Sequence, residues 1–87
     1  MSLTEDIQVR LSVLEPLSLS ILDDSHLHAG HKGNSGGGHF TVHIVSSHFS
    51  GKSHIIRHRV VYQALGDLIP GKIHALSIRA LAPEEQA

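Results

Sequence analysis

Histidine is the residue that could do chemistry here: the chain has 87 residues, nine of them histidines, and no cysteine. The stretch Ser25–His39, "SHLHAGHKGNSGGGH", sets His26, His28, His31 and His39 among five glycines. "HIIRH" spaces His54 and His58 four apart, so a helix there would show both rings on one face. His74 stands alone in "IHAL", where an alternating apolar run begins. Neutral imidazole is a borderline ligand that suits zinc, copper and iron. Without thiolates of its own, the chain must hold any ion or cluster through imidazole or oxygen, or borrow sulfur from a partner.

Enzymatic readings fall away on residue type. The helical zinc-protease motif needs a glutamate after its first histidine to act as base, and Ile55 stands there in "HIIRH". There is no cysteine nucleophile, no GxSxG elbow and no phosphate loop ending in GK[ST]. Asp23 and Asp24 are neighbours on a strand, so they point to opposite faces and cannot converge on one substrate. No turnover is expected.

Composition sets the remaining bounds. Lys plus Arg number 7 against 8 Asp plus Glu, for a formal net charge of -1. No global field draws nucleic acid or an anionic membrane. Imidazole is the one side chain whose ordinary titration falls between pH 5 and 8, so a chain this rich in histidine also admits pH sensing as a reading. Apolar residues are 40% but aromatics only 3%. A single small core of Leu, Ile, Val and Ala follows. No run of eighteen apolar residues occurs, and the N-terminus lacks a charged-then-apolar leader pattern, so a cytoplasmic protein with no membrane partner is expected.

The elements that must position the histidines can be read from periodicity. Ser2 and Glu5 form a capping box before Leu3, Ile7, Leu11 and Leu14, which recur at helical spacing until Pro16. Leu17, Leu19 and Ile21 alternate with serines as a half-buried strand. "HFTVHIVS" puts Phe40, Val42 and Ile44 on one face and His39, Thr41 and His43 on the other. These two strands should form an antiparallel hairpin, although residues 25–38 make an unusually long connection. A second helix is predicted over His54–Leu68, with Ile56, Val60, Val61, Ala64, Leu65 and Leu68 on its stripe, closed by Pro70 and Gly71. A last strand from about Ile73 to Leu81 sets Leu76, Ile78 and Ala80 against Ser77 and Arg79. Strand–helix–strand implies a right-handed crossover and parallel pairing. The expected fold is α+β, in the order α-β-β-α-β, with the helices on one face of a three-stranded mixed sheet. One domain over residues 1–82 is predicted, with a disordered tail at 83–87.

Four stretches, "LEPLSLSILDDSHLH", "HFTVHIVSSHFSG", "RHRVVYQAL" and "IHALSIRAL", together resemble the BolA family from about Leu14 to Leu81. Several separated motifs in order are more specific than one short pattern. The resemblance implies a class II KH-like fold, in agreement with the order above. It also implies a non-enzymatic adaptor in iron–sulfur cluster assembly, trafficking or iron regulation. Such an adaptor pairs with a monothiol glutaredoxin and shares a 2Fe–2S cluster, the partner supplying its cysteine and a bound glutathione. Alone, the chain is expected to hold no cofactor. His74 falls at the family's near-invariant histidine at the start of the last strand. His28 falls at the second ligand position, in the hairpin loop three residues after a serine, with His31 as the alternative. Three glycines precede "HF" where the family more often has polar residues ending in Ser or Thr. Independently of the family, a histidine entering a strand has its backbone fixed, as a ligand requires. His26 reads as a solvated loop residue and His39, His43 and His48 as structural or surface residues. His58 reads as packed or hydrogen-bonded near the helix start.

Nucleic-acid binding is the rival reading, because a KH-like fold invites it and the family is associated with transcriptional regulation. Lys52, Arg57, Arg59 and Lys72 would form a basic strip near the second helix. "GHKG" matches the KH glycine loop, but it lies in a strand hairpin rather than between two helices. Only Phe40, Phe49 and Tyr62 could stack bases, and Phe40 is expected in the core. DNA and a second copy of the chain stay as alternative partners.

Overall fold

Helix α1, Leu3–Leu11, starts at the predicted cap: Ser2 Oγ accepts the Glu5 N–H at 3.1 Å and the Glu5 carboxylate accepts the Ser2 N–H at 3.1 Å. A 3-10 turn, Ser12–Leu14, extends it until Glu15 adopts a left-handed φ of 50° ahead of Pro16. The chain is described by a computed structural model over residues 2–24, 38–69 and 71–86. Strand β1, Ser18–Asp23, pairs antiparallel with β2, Gly38–Val45, from Ser18 opposite Val45 to Asp23 opposite Phe40. Strand β3, Ile73–Leu81, lies parallel along the other edge of β2, giving the order β1-β2-β3.

Helix α2, His54–Leu65, supplies the crossover, and Ser53 Oγ caps it by accepting the Ile56 N–H at 3.3 Å. One face of the sheet is covered: Ile7 and Leu11 of α1 and Val61 and Leu65 of α2 join Phe40, Val42, Ile44 and Ala80 in a single core. The other face, carrying Ser20, His43, Ser77 and Arg79, is exposed. The α+β three-stranded mixed sheet expected from the sequence is the fold observed.

Ser46 ties the ends together. Fully buried just after β2, its Oγ donates to the Leu14 carbonyl at 2.6 Å and accepts the His48 N–H at 3.1 Å. Its own N–H reaches the Leu81 carbonyl at 3.0 Å. One serine thus joins the end of α1 to the ends of β2 and β3. Arg10 makes a second tie, donating to the Leu65 carbonyl at 3.1 Å and to Asp67 at 2.9 Å.

Several expectations need correction. Leu17 is 72% exposed: its N–H donates to the Val45 carbonyl at 2.8 Å, but it precedes β1, which begins at Ser18. Helix α2 stops at Leu65, and Gly66–Leu68 continues as a 3-10 turn. Gly66 there has φ 54°, a conformation that a side chain would strain. The inward stripe of α2 starts at Arg57, not at Ile56, which is 38% exposed.

The tail is the largest departure. Pro83–Glu85 forms a 3-10 turn, and Glu85 accepts two bonds from the Arg57 guanidinium, at 2.6 and 2.9 Å, and one from the Ala82 N–H at 2.8 Å. Arg57 also donates to the Ala80 carbonyl at 3.0 Å and the Lys52 carbonyl at 2.8 Å. This forked pairing is the arrangement for which a planar guanidinium is suited. Residues 83–86 are therefore part of the fold rather than a disordered tail, while Ala87 lies outside the described residues.

Candidate metal centre

The register of β2 against β3 shifts once, between Gly38 and His39: Gly38 faces Ile73, but His39 faces Ala75. His74 is the residue skipped. Such an irregularity re-aims a side chain and bends the strand locally. It also lets Ile73 and then Leu76, Ile78 and Ala80 all turn toward the helices, although strict alternation would separate 73 from the even positions. His74 is left exposed at the strand entrance, its ring centroid 5.4 Å from that of His39 with the planes tilted by 47°.

Neighbouring bonds hold the His39 side of this pair. The Asp24 N–H donates to the His39 carbonyl at 2.7 Å, and Thr41 Oγ1 donates to Asp24 Oδ2 at 2.7 Å. The Gly38 N–H reaches the Lys72 carbonyl at 2.9 Å, fixing the entrance of β3 beside β2. Gly38 itself is buried, and a Cβ there would stand 2.3 Å from Phe40 Cε2. The glycine thus makes room for the Phe40 ring.

His39 is the residue that sequence reasoning missed. Its assignment to the face opposite Phe40 is right, but the face alone gives no partner. The partner follows only from the parallel register and the skipped residue. The broken parity between Ile73 and Leu76 was the available signal. His28 and His31, the predicted loop ligands, lie outside the described residues, as do His26 and the "GHKG" segment. Among the described residues, no group of three or more His, Cys, Asp or Glu side chains converges.

Two imidazoles, one exposed and one half-buried, sit on hydrogen-bonded strands at one end of the sheet, in a chain with no thiol.

The other histidines and the basic strip fall elsewhere. His43 is exposed on the open sheet face, and His48 Nε2 lies 3.4 Å from Glu15 Oε1. His58 is not packed at the helix start but exposed, lining a shallow groove with Ile55, Arg59, Tyr62 and Gln63. Arg57, placed in the basic strip by the sequence, is only 4% exposed and committed to Glu85, because its position on α2 faces β3 and the C-terminal turn. Lys52 and Arg59 are exposed, and Lys52 Nζ donates to the His48 carbonyl. Lys72 is exposed at the far end of the sheet, where β3 begins. At about 3.3 Å per residue, the eight residues of β2 put roughly 25 Å between the Lys52 and Lys72 ends. No continuous basic strip results.

No helix among the described residues is long and apolar enough to cross a membrane. The BolA domain of SufE1 from Arabidopsis thaliana superposes with a TM-score of 0.85 and 40% sequence identity, covering 99% of each chain. In sequence, SufE-like protein 1, chloroplastic/mitochondrial, of Arabidopsis thaliana is 44% identical over 83% of this chain and 21% of its own length. An uncharacterised protein from the cobS 5' region of Sinorhizobium sp is 38% identical over 98% of this chain and 96% of its own. The chain thus spans about a fifth of one relative and nearly all of the other. The family described as BolA-like protein matches residues 11–85, the span that holds β1 to β3, α2 and both His39 and His74, and this chain belongs to that family.

Proposed function

We propose that this protein is a non-enzymatic adaptor of iron–sulfur metabolism that binds a monothiol glutaredoxin and shares a 2Fe–2S cluster with it. The observation that carries the reading is His74, exposed at the strand entrance and held there by the register shift, in a chain with no cysteine. His74 supplies one nitrogen ligand, and His28 or His31 the other. The glutaredoxin cysteine and glutathione supply sulfur. Mixed imidazole and thiolate ligation raises a cluster's reduction potential relative to all-thiolate ligation and makes its binding proton-dependent.

The chain's own contribution is placement. The register shift between the paired residues Ile73 and Ala75 sets where His74 stands, and the Asp24–Thr41 and Asp24–His39 bonds fix the neighbouring corner. The DNA-binding regulator, the alternative reading, loses its central cation to the Arg57–Glu85 pair. The cytoplasmic expectation draws no support from the chloroplastic/mitochondrial relative. Anaerobic reconstitution of the chain with a monothiol glutaredoxin, iron, sulfide and glutathione tests the proposal. One heterodimer bearing a 2Fe–2S chromophore is the expected product, and separate elution of the two proteins contradicts it.

A further inference from the structure

We infer that His39 and His74 form a chelating pair for one divalent transition-metal ion of the zinc type, taken up by this chain alone. This departs from the expectation that the isolated chain holds no cofactor. It shares His74 with the cluster reading but does not rest on it.

Distance carries the inference. Imidazole nitrogens bind zinc at about 2.0–2.1 Å, and a tetrahedral angle between two such bonds puts the ring centroids about 5 Å apart. The observed separation is 5.4 Å. His39 stands in the β2–β3 ladder and His74 lies between the paired residues Ile73 and Ala75, so binding need not order a loop. His74 is exposed and His39 half-buried, which leaves the ion a path in and leaves water its remaining positions. An all-imidazole donor pair favours zinc, nickel and copper over magnesium or calcium. An ion seated there occupies a His74 nitrogen, so it competes with any cluster that needs the same residue.

The test is Zn²⁺ titration of the purified full chain, followed by calorimetry and by NMR of the imidazole ring nitrogens. One ion per chain is expected, with the His39 and His74 ring signals shifting together. His39→Ala and His74→Ala should each weaken binding at least tenfold, while the combined His26→Ala, His28→Ala and His31→Ala variant should keep it. Circular dichroism checks that each variant is folded, and the wild-type ring shifts need no variant at all. Ring signals of His39 or His74 that do not move with zinc would overturn the inference, as would an affinity in His39→Ala within twofold of wild type. Loss of binding in the combined loop variant would also overturn it. The readout uses no glutaredoxin, so failure of the cluster reading leaves it standing, and its own failure leaves the cluster reading untouched.

Discussion

His39 and His74 meet because β3 carries one residue more than β2 at the point where the two strands start to pair. The register shift spares His74 from the alternation and turns it toward the His39 ring on the neighbouring strand. Both rings therefore depend on how closely Gly38 and Ile73 approach.

Gly38→Ala tests that dependence. The added Cβ would lie 2.3 Å from Phe40 Cε2, so the buried ring must move or the strand entrance must open. Overpacking of this kind costs about 1–3 kcal/mol. Urea unfolding should show a loss in that range, and adding Phe40→Leu should recover part of it, because the clash is then relieved. A Gly38→Ala variant as stable as wild type would mean that the entrance is not close-packed.

Acid should loosen the C-terminal turn. The Arg57 guanidinium and then the Ala82 N–H hold the Glu85 carboxyl down to about 2, from an ordinary 4.5. A carboxyl with a lowered folded-state pKa stabilises the fold fully above its unfolded value and loses that contribution as pH falls through the folded one. The contribution should therefore fade between about pH 4.5 and about pH 2. Glu85→Gln should flatten the pH dependence of the urea midpoint in this window and lower the midpoint at pH 7. An unchanged slope would show that the pair does not couple to folding.

How much of this was legible in the sequence differs from one residue to the next. Ser2 and Glu5 announced the start of α1 because a capping box is local, and the alternation of Phe40, Val42 and Ile44 announced the buried face of β2. Parallel pairing followed from the length of the strand–helix–strand segment. Arg57 was misread because a lone cation on a helix looks solvated until its partner, 28 residues away at Glu85, is folded against it. The tail was misread for the same reason, since "PEE" has nothing apolar to bury. His39 was left without a role because register between parallel strands is set by tertiary packing, and one skipped residue decides which rings meet.

Ser46→Ala should be costly for so small a change. It leaves the buried Leu14 carbonyl without its donor and the half-buried His48 N–H without its acceptor. Leaving such groups unpaired costs about 1–3 kcal/mol. Chemical denaturation should register that loss with the m-value unchanged. A change below about 0.5 kcal/mol, typical of surface sites, would mean that water takes over the serine's bonds.

DNA binding should be weak and sequence-independent. With Arg57 buried against Glu85, only Lys52, Arg59 and Lys72 of the strip remain exposed, and they are dispersed. Duplex affinity at physiological salt should be no tighter than the roughly 10⁻⁴–10⁻⁶ M of non-specific binding. A tight complex whose salt dependence becomes shallower in Arg59→Ala would instead support the regulator.

The most direct measurement is the visible absorption and circular dichroism of the cluster-bearing complex with a monothiol glutaredoxin, prepared anaerobically with wild-type chain and with His74→Ala. The wild-type complex should show bands of a 2Fe–2S cluster with mixed nitrogen and sulfur ligation. His74→Ala should lose those bands or yield the spectrum of the glutaredoxin's own thiolate-ligated cluster. An identical spectrum in both complexes would contradict the assignment of His74 as a ligand, and with it the central claim.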